Sequence, residues 1–170
     1  TPRGDNGCVK NVEVKIRVRD LDALAAGAKA MGAGERGVLR QVDTYFRAPT
    51  RLKLREMDQA AELIAYSRPD VGGLRTSDYT VMPIADPDGL KAALGAALRV
   101  EAVVTKTRRL LMLGRTRIHL DAVEGLGEFL ELEVVLREGE DEIEGEREAE
   151  KILRGLGVDK AERIAGSYVD

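Results

Sequence analysis

Four stretches of this 170-residue chain place two basic residues two positions apart. They are Lys15 and Arg17 in NVEVKIRVR, Lys53 and Arg55 in RLKLRE, Lys106 and Arg108 in TKTRR, and Arg115 and Arg117 in RTRIHLD. Acids follow the same spacing: Glu131 and Glu133 in LELEV, Glu13 two residues before Lys15, and Asp121 closing RIHLD. Residues at i and i+2 share one face of a strand, so each stretch presents two cations side by side. On any single strand such a row is ordinary solvated surface. Its repetition on four strands, together with the ELE run, argues for faces turned into a confined space instead. Crowded cations repel one another and lose solvation unless an anion meets them. A triphosphate, with about four negative charges, suits the fork of Arg and the point charge of Lys. Carboxylates would repel that ligand unless they hold a hard divalent cation such as Mg²⁺ or Mn²⁺ that bridges to its oxygens. The pattern points to metal-assisted phosphate chemistry.

The elements that must position these residues are mostly strands. In residues 11–19, Val12, Val14, Ile16 and Val18 alternate with Asn11, Glu13, Lys15, Arg17 and Arg19, the period of a strand with one apolar face. Similar strands are expected near 40–46, 51–56, 62–68, 77–82, 101–113, 115–121 and 128–136. Gly114 marks a hairpin turn between two of them, and Gly72–Gly73 and Gly125/Gly127 mark further connections. Helices are expected after Asp20 (LDALAAGAKAMG), after Asp86–Pro87, where Asp caps and Pro takes the first helical position, and over 144–155. The final KAERIAGSYVD is read as a short helical segment. About eight strands without a βαβ rhythm predict a mainly antiparallel barrel or strongly curved sheet, with the helices packed outside.

Composition narrows the function classes. The length suits one domain, here 11–170 after a flexible segment 1–10. A net charge of −3, from 30 acids against 27 bases, argues against a broad nucleic-acid surface. With no Trp, two Phe and four Tyr, stacking platforms for single-stranded bases are not expected. No apolar run approaches a membrane span, and TPRGDNGCVKN has no signal-peptide core. The lone Cys8 rules out an internal disulfide framework and favours a reducing, cytoplasmic setting. A monomer or homodimer is expected.

NVEVKIRV resembles the N-terminal E-x-E-x-K signature of the CYTH superfamily, the triphosphate tunnel metalloenzymes, which includes class IV adenylyl cyclases, thiamine triphosphatases and inorganic tripolyphosphatases. The likeness continues in order through QVDTYF, RLKLRE, AYSRPD, VVTKTRR, RIHLDAVEGLGEFLELEV and GSYVD, nearly the whole chain. It implies an eight-stranded antiparallel barrel forming a tunnel. It further implies that Glu13, Glu131 and Glu133, with Asp121, hold Mg²⁺ or Mn²⁺. The triphosphate would be gripped by Lys15, Lys53, Arg55, Lys106, Arg108 and Arg117, with Arg17, Arg68 and Arg75 as additions. One departure is that Asn11 stands where the signature has its first acid; it keeps a carbonyl oxygen for a metal but removes a negative charge.

Two reactions fit the same lumen. Water attacking the terminal phosphorus makes a triphosphatase; a ribose 3′-hydroxyl attacking the α-phosphorus gives cyclic AMP and pyrophosphate. Lys53 or Lys106, with a pKa lowered by neighbouring cations, is the candidate for proton transfer, and Glu133 counts with them as catalytic. A polyphosphate-binding relative without turnover is a third reading, favoured by Asn11. The lone His119 is read as a polar filler on the Arg117/Asp121 side, Cys8 is not read as a nucleophile, and no Walker motif accompanies Gly72–Gly73. Asp43 and Tyr45 are assigned a structural or rim role as readily as a catalytic one.

Overall fold

The computed structural model describes residues 9–67, 75–165 and 168. Eight strands close into one antiparallel barrel in the order β1-β5-β4-β3-β2-β6-β7-β8. They are β1 Val9–Val18, β2 Gly34–Phe46, β3 Arg51–Met57, β4 Ala60–Ser67, β5 Arg75–Pro83, β6 Val100–Leu113, β7 Thr116–Val123 and β8 Gly127–Val135. Three helices lie outside: α1 Leu21–Ala30, α2 Pro87–Leu98 and α3 Glu142–Gly155. Each begins where the side chain of an aspartate, Asp20, Asp86 or Asp141, accepts a hydrogen bond from a backbone N–H of the first turn. No helix among the described residues is long and apolar enough to cross a membrane.

The barrel is apolar outside and charged inside. Val14 and Ile16 of β1, Ile118 and Leu120 of β7, and Leu130 and Leu132 of β8 turn outward into the main core with α1 and α3. α2 covers Phe46 and Leu54 with Leu90, Leu94 and Leu98. α3 comes so close to β1 that a Cβ on Gly145 would stand 2.8 Å from Val12 Cγ2. Glycine is what permits that approach, and it buries the apolar row that lets β1 turn its charges inward.

Four segments depart from the sequence expectation. β2 starts at Gly34, six residues before the expected strand, and its first half pairs with β6 through an irregularity at Glu35/Gly37. Residues 34–40 are exposed on both faces, so no alternation announces them. Arg115 is not on a strand: with Gly114 it forms the two-residue turn between Leu113 and Thr116, and its guanidinium binds Glu140 and Glu148 outside the barrel. The expected C-terminal helix is absent from its described residues. Arg163 instead bridges Ile16, and Ile164 N donates to Lys15 O at 2.8 Å. Among the described residues β1 pairs with β5 from Val9 to Glu13, and the Ile164 N–H meets the Lys15 carbonyl beyond that stretch. β1 also begins at Val9, two residues before the alternation, and the rest of the expected flexible segment, residues 1–8, lies outside the described residues.

Candidate functional site

The inward rows of β1, β2, β3, β6, β7 and β8 converge on a cavity of about 470 Å³. One end is filled by Tyr45, Val104, Val123 and Phe129, against which Ile164 and Tyr168 pack. Above this floor lies a basic cluster organised by a single carboxylate. Asp43, fully buried, takes Arg55 through two hydrogen bonds of 2.8 and 2.7 Å, Lys53 Nζ at 3.1 Å and Lys106 Nζ at 3.3 Å. Burial alone would raise the Asp43 carboxyl; Lys53 and Arg55 outweigh it and hold the group well below the usual carboxylate range. Lys106 is pushed well down by burial and by the guanidiniums of Arg108 and Arg55, so its amine sheds a proton more readily than an ordinary lysine.

Beside this cluster Asp121 is clasped by Arg108 through bonds of 2.7 and 2.6 Å, and Tyr168 donates its hydroxyl to the same carboxylate at 2.8 Å. Arg108 overcomes the effect of burial and lowers Asp121 to about 2. The Tyr168 ring lies under two ammonium groups, Lys15 at 3.8 Å and Lys106 at 5.2 Å. Asp121 is thus spent on holding Arg108 and Tyr168 in place.

The remaining acids stand toward the other end. Register puts Glu13 opposite Glu133, and Lys15 opposite Glu131. Glu131 lies 3.9 Å from Lys15 and 3.3 Å from Arg108. Burial would raise it, but these two cations keep it well below its ordinary range. Glu133 behaves in the opposite way: burial, then repulsion from Glu13 and Glu131, pushes it up to about 7. Its neighbours are Asn11, whose amide donates to it, Arg117 at 3.4 Å and His119 at 3.9 Å. Tyr79 donates its hydroxyl to Glu13. His119 is buried and, through burial and Arg108, held neutral.

Among the described residues no three acidic, histidine or cysteine side chains already converge tightly enough to hold a metal. The donor set nevertheless fits a hard divalent cation. Two carboxylates face each other across β1 and β8, and Asn11, two residues before Glu13 on β1, has its Oδ1 buried without a hydrogen-bond partner among the described residues. A cation taking oxygen ligands would satisfy that atom and relieve the repulsion that Glu133 otherwise relieves with a proton.

Of the residues singled out from sequence, Lys15, Lys53, Arg55, Lys106, Arg108, Arg117, Glu131 and Glu133 line the one cavity. Glu13 adjoins it through Tyr79. Arg17 stands apart: it is exposed, donates to Leu126 O at 2.7 Å and covers the Phe129 ring. Arg68 lies outside the described residues, as does the side chain of Arg75, whose backbone pairs with Glu13. Sequence reasoning passed over Gln41, which the alternation of Leu39, Gln41, Asp43 and Tyr45 would have turned inward. It also passed over Tyr168, whose place depends on how the C-terminal segment returns to β1.

A closed barrel with a basic interior, carboxylates in register and apolar outer walls defines a tunnel-type barrel fold. The chain belongs to the CYTH family, whose domain matches residues 10–168. A Methanocaldococcus jannaschii protein provisionally named an adenylate cyclase is 24% identical over 169 residues, covering 94% of this chain and 96% of that protein. The PH1012 protein of Pyrococcus horikoshii shares the fold with a TM-score of 0.83 at 23% identity, covering 94% and 97% of the two chains. A Hippeastrum protein, described as a provisionally assigned adenylyl cyclase with a dominant triphosphatase activity, superposes with a TM-score of 0.61 at 16% identity over 87% and 88%.

Proposed function

We propose that the cavity binds a triphosphate and hydrolyses a phosphoanhydride bond, with Mg²⁺ or Mn²⁺ held by Glu13, Glu133 and the Asn11 carbonyl, Glu131 standing next to them. The carrying observation is the basic cluster: Lys53, Arg55 and Lys106 fixed on one buried aspartate, with Arg108 fixed beside them on another. Such cations are oriented before the ligand arrives, so little ordering entropy is lost when phosphate oxygens dock. Lys15 and Arg117 extend the grip toward the carboxylates. The cation supplies charge neutralisation at the phosphoryl oxygens. Lys106, with its lowered pKa, takes the proton from the attacking water, and Asp43 holds that amine on the lumen side.

Phosphorus NMR of the purified protein with ATP, thiamine triphosphate and tripolyphosphate, each with Mg²⁺ or Mn²⁺, tests the reading. Orthophosphate from at least one of them, lost in Glu133→Gln, is the expected outcome. Cyclisation of ATP is the second reading, favoured by the name of the Methanocaldococcus jannaschii relative. Pyrophosphate with cyclic AMP in the same spectra would select it. Tight tripolyphosphate binding with no product would leave a binding protein and sink both.

A further inference from the structure

The basic row of β3 does not end inside the tunnel. Arg55 and Lys53 line the lumen, and Arg51 follows at the same spacing on the same strand face. Arg51 opens into a second cavity, of about 340 Å³, at the floor end of the barrel beneath the turn from β2 to β3. Arg47, Thr50 and Ser67 bring a second guanidinium and two hydroxyls to it. Glu101, exposed, is the single acid among the described residues that line it. Two guanidinium forks with hydroxyl donors beside them suit a small oxyanion.

Tyr45 and Tyr66 line both cavities. A side-chain hydrogen bond joins the two tyrosines, and Lys53 Nζ lies 5.4 and 5.5 Å from their ring centroids. What divides the cavities is thus a pair of aromatic side chains, with Lys53 on the lumen side and Arg51 beyond. Side chains turn aside without breaking a strand's backbone hydrogen bonds. The backbone around the second cavity carries a further mark. Arg99, exposed at the end of α2, has φ of 66° and ψ of 144°, and no other non-glycine among the described residues has a positive φ. Holding a side chain in such a conformation costs about 1–3 kcal/mol, which glycine would avoid. The Arg99 carbonyl accepts the Arg47 N–H at 3.1 Å, so the strained residue anchors the turn that carries Arg47.

The layout of the tunnel gives such a cavity a use. Leu39 and Val81, 43% and 46% exposed, mark the open end, and the other end is filled. A triphosphate entering at Leu39 and Val81 leads with its terminal phosphate toward Lys53 and Lys106. Water adding to that phosphorus breaks the anhydride and leaves orthophosphate at the deep end, behind the diphosphate remainder. The way out that does not pass the remainder runs between Tyr45 and Tyr66, from Lys53 to Arg51.

We infer that the cavity of Arg47, Arg51, Thr50 and Ser67 is a second anion site, which receives the orthophosphate released in the tunnel. The inference rests on the triphosphate reading above for the source of that anion.

Calorimetric titration of orthophosphate into protein holding one equivalent of tripolyphosphate, in EDTA, tests it, because the tunnel is then occupied and turnover has no metal. Orthophosphate is expected to bind the filled protein at one site per chain. Arg51→Gln should weaken it about tenfold, the loss of one charge-assisted hydrogen-bonding partner, and leave tripolyphosphate within about twofold. Arg47→Gln, at an exposed position that folding does not depend on, should act in the same sense. No orthophosphate bound to the filled protein, or binding that neither substitution weakens, would overturn the inference and leave the triphosphate reading intact. If tripolyphosphate does not bind the wild-type protein, the triphosphate reading fails and the product site with it.

Discussion

The floor and the mouth of the barrel are built from the same strands and by opposite rules. At the floor every charge is answered. Asp43 holds two lysines and an arginine, Asp121 holds Arg108 and Tyr168, and the Tyr168 ring lies beneath Lys15. At the mouth, acceptors are left without donors, two carboxylates face each other, and leucine and valine meet solvent. The floor is a finished structure that a ligand can only borrow from, since its cations are fixed by acids whether or not phosphate is present. The mouth is unfinished: its unpartnered acceptors and facing carboxylates carry costs that the described residues do not offset. Stability should therefore concentrate at one end and selectivity at the other.

Asp43→Ala tests that division most severely. It removes the shared partner of Lys53, Arg55 and Lys106 and leaves buried cations uncompensated, which costs about 3–5 kcal/mol. Urea denaturation should show that loss, and triphosphate binding should fall with it. Comparable destabilisation from Arg117→Ala, whose side chain is 43% exposed, would erase the distinction between the two ends.

The next largest effect is in the pH dependence. The folded protein holds the Glu133 carboxyl at about 7, above its ordinary value of 4.5. A raised carboxyl pKa means that the folded state binds the extra proton. The associated stability is then complete below about pH 4.5 and is lost as pH rises through about 7, on the order of 3 kcal/mol at most. Asp43 and Asp121 are shifted the other way, so their contributions are lost only as pH falls below the ordinary carboxylate range. His119 and Lys106, both pushed down by burial, act in the opposite sense, so the comparison is with Glu133→Gln, which keeps them. The denaturation midpoint of the wild type relative to Glu133→Gln, both in EDTA, should decline between pH 5 and pH 8, and Mg²⁺ should restore wild-type stability at pH 8. A difference that does not change with pH would mean that Glu13 and Glu133 do not repel each other as their register implies.

How much of this was legible follows from the same contrast. Charges locked into strands with a buried apolar back could be read from alternation alone, as NVEVKIRVR illustrates: Val12, Val14 and Ile16 are almost fully buried outward while Asn11, Glu13 and Lys15 turn in. Turn chemistry was equally local, and Gly114 sits where the hairpin needs it, with φ of 58°. What escaped depended on distant packing. Arg115 shares the spacing of a strand pair but falls in the turn, where Glu140 and Glu148 draw it outward. The residues after α3 have helical composition, yet they lie along β1, where Arg163 bridges Ile16 and Ile164 donates to Lys15. Asp43 was assigned a structural or rim role as readily as a catalytic one, because its command over three cations emerges only when β2, β3 and β6 lie side by side.

The smallest expected effect separates function from structure most cleanly. Gln41 is nearly fully buried between Leu39 and Asp43 on the inward row of β2, with a carbonyl that no described residue satisfies. A side chain retained for packing should destabilise the protein when replaced. One retained for a ligand should do the reverse, because leucine of similar size removes an unanswered acceptor, a gain of about 1 kcal/mol. Gln41→Leu should therefore raise the melting temperature of the ligand-free protein by a few degrees for a domain of this size. A variant that melts lower than the wild type in the absence of ligand would return Gln41 to the structural floor and remove the asymmetry between the two ends at that position.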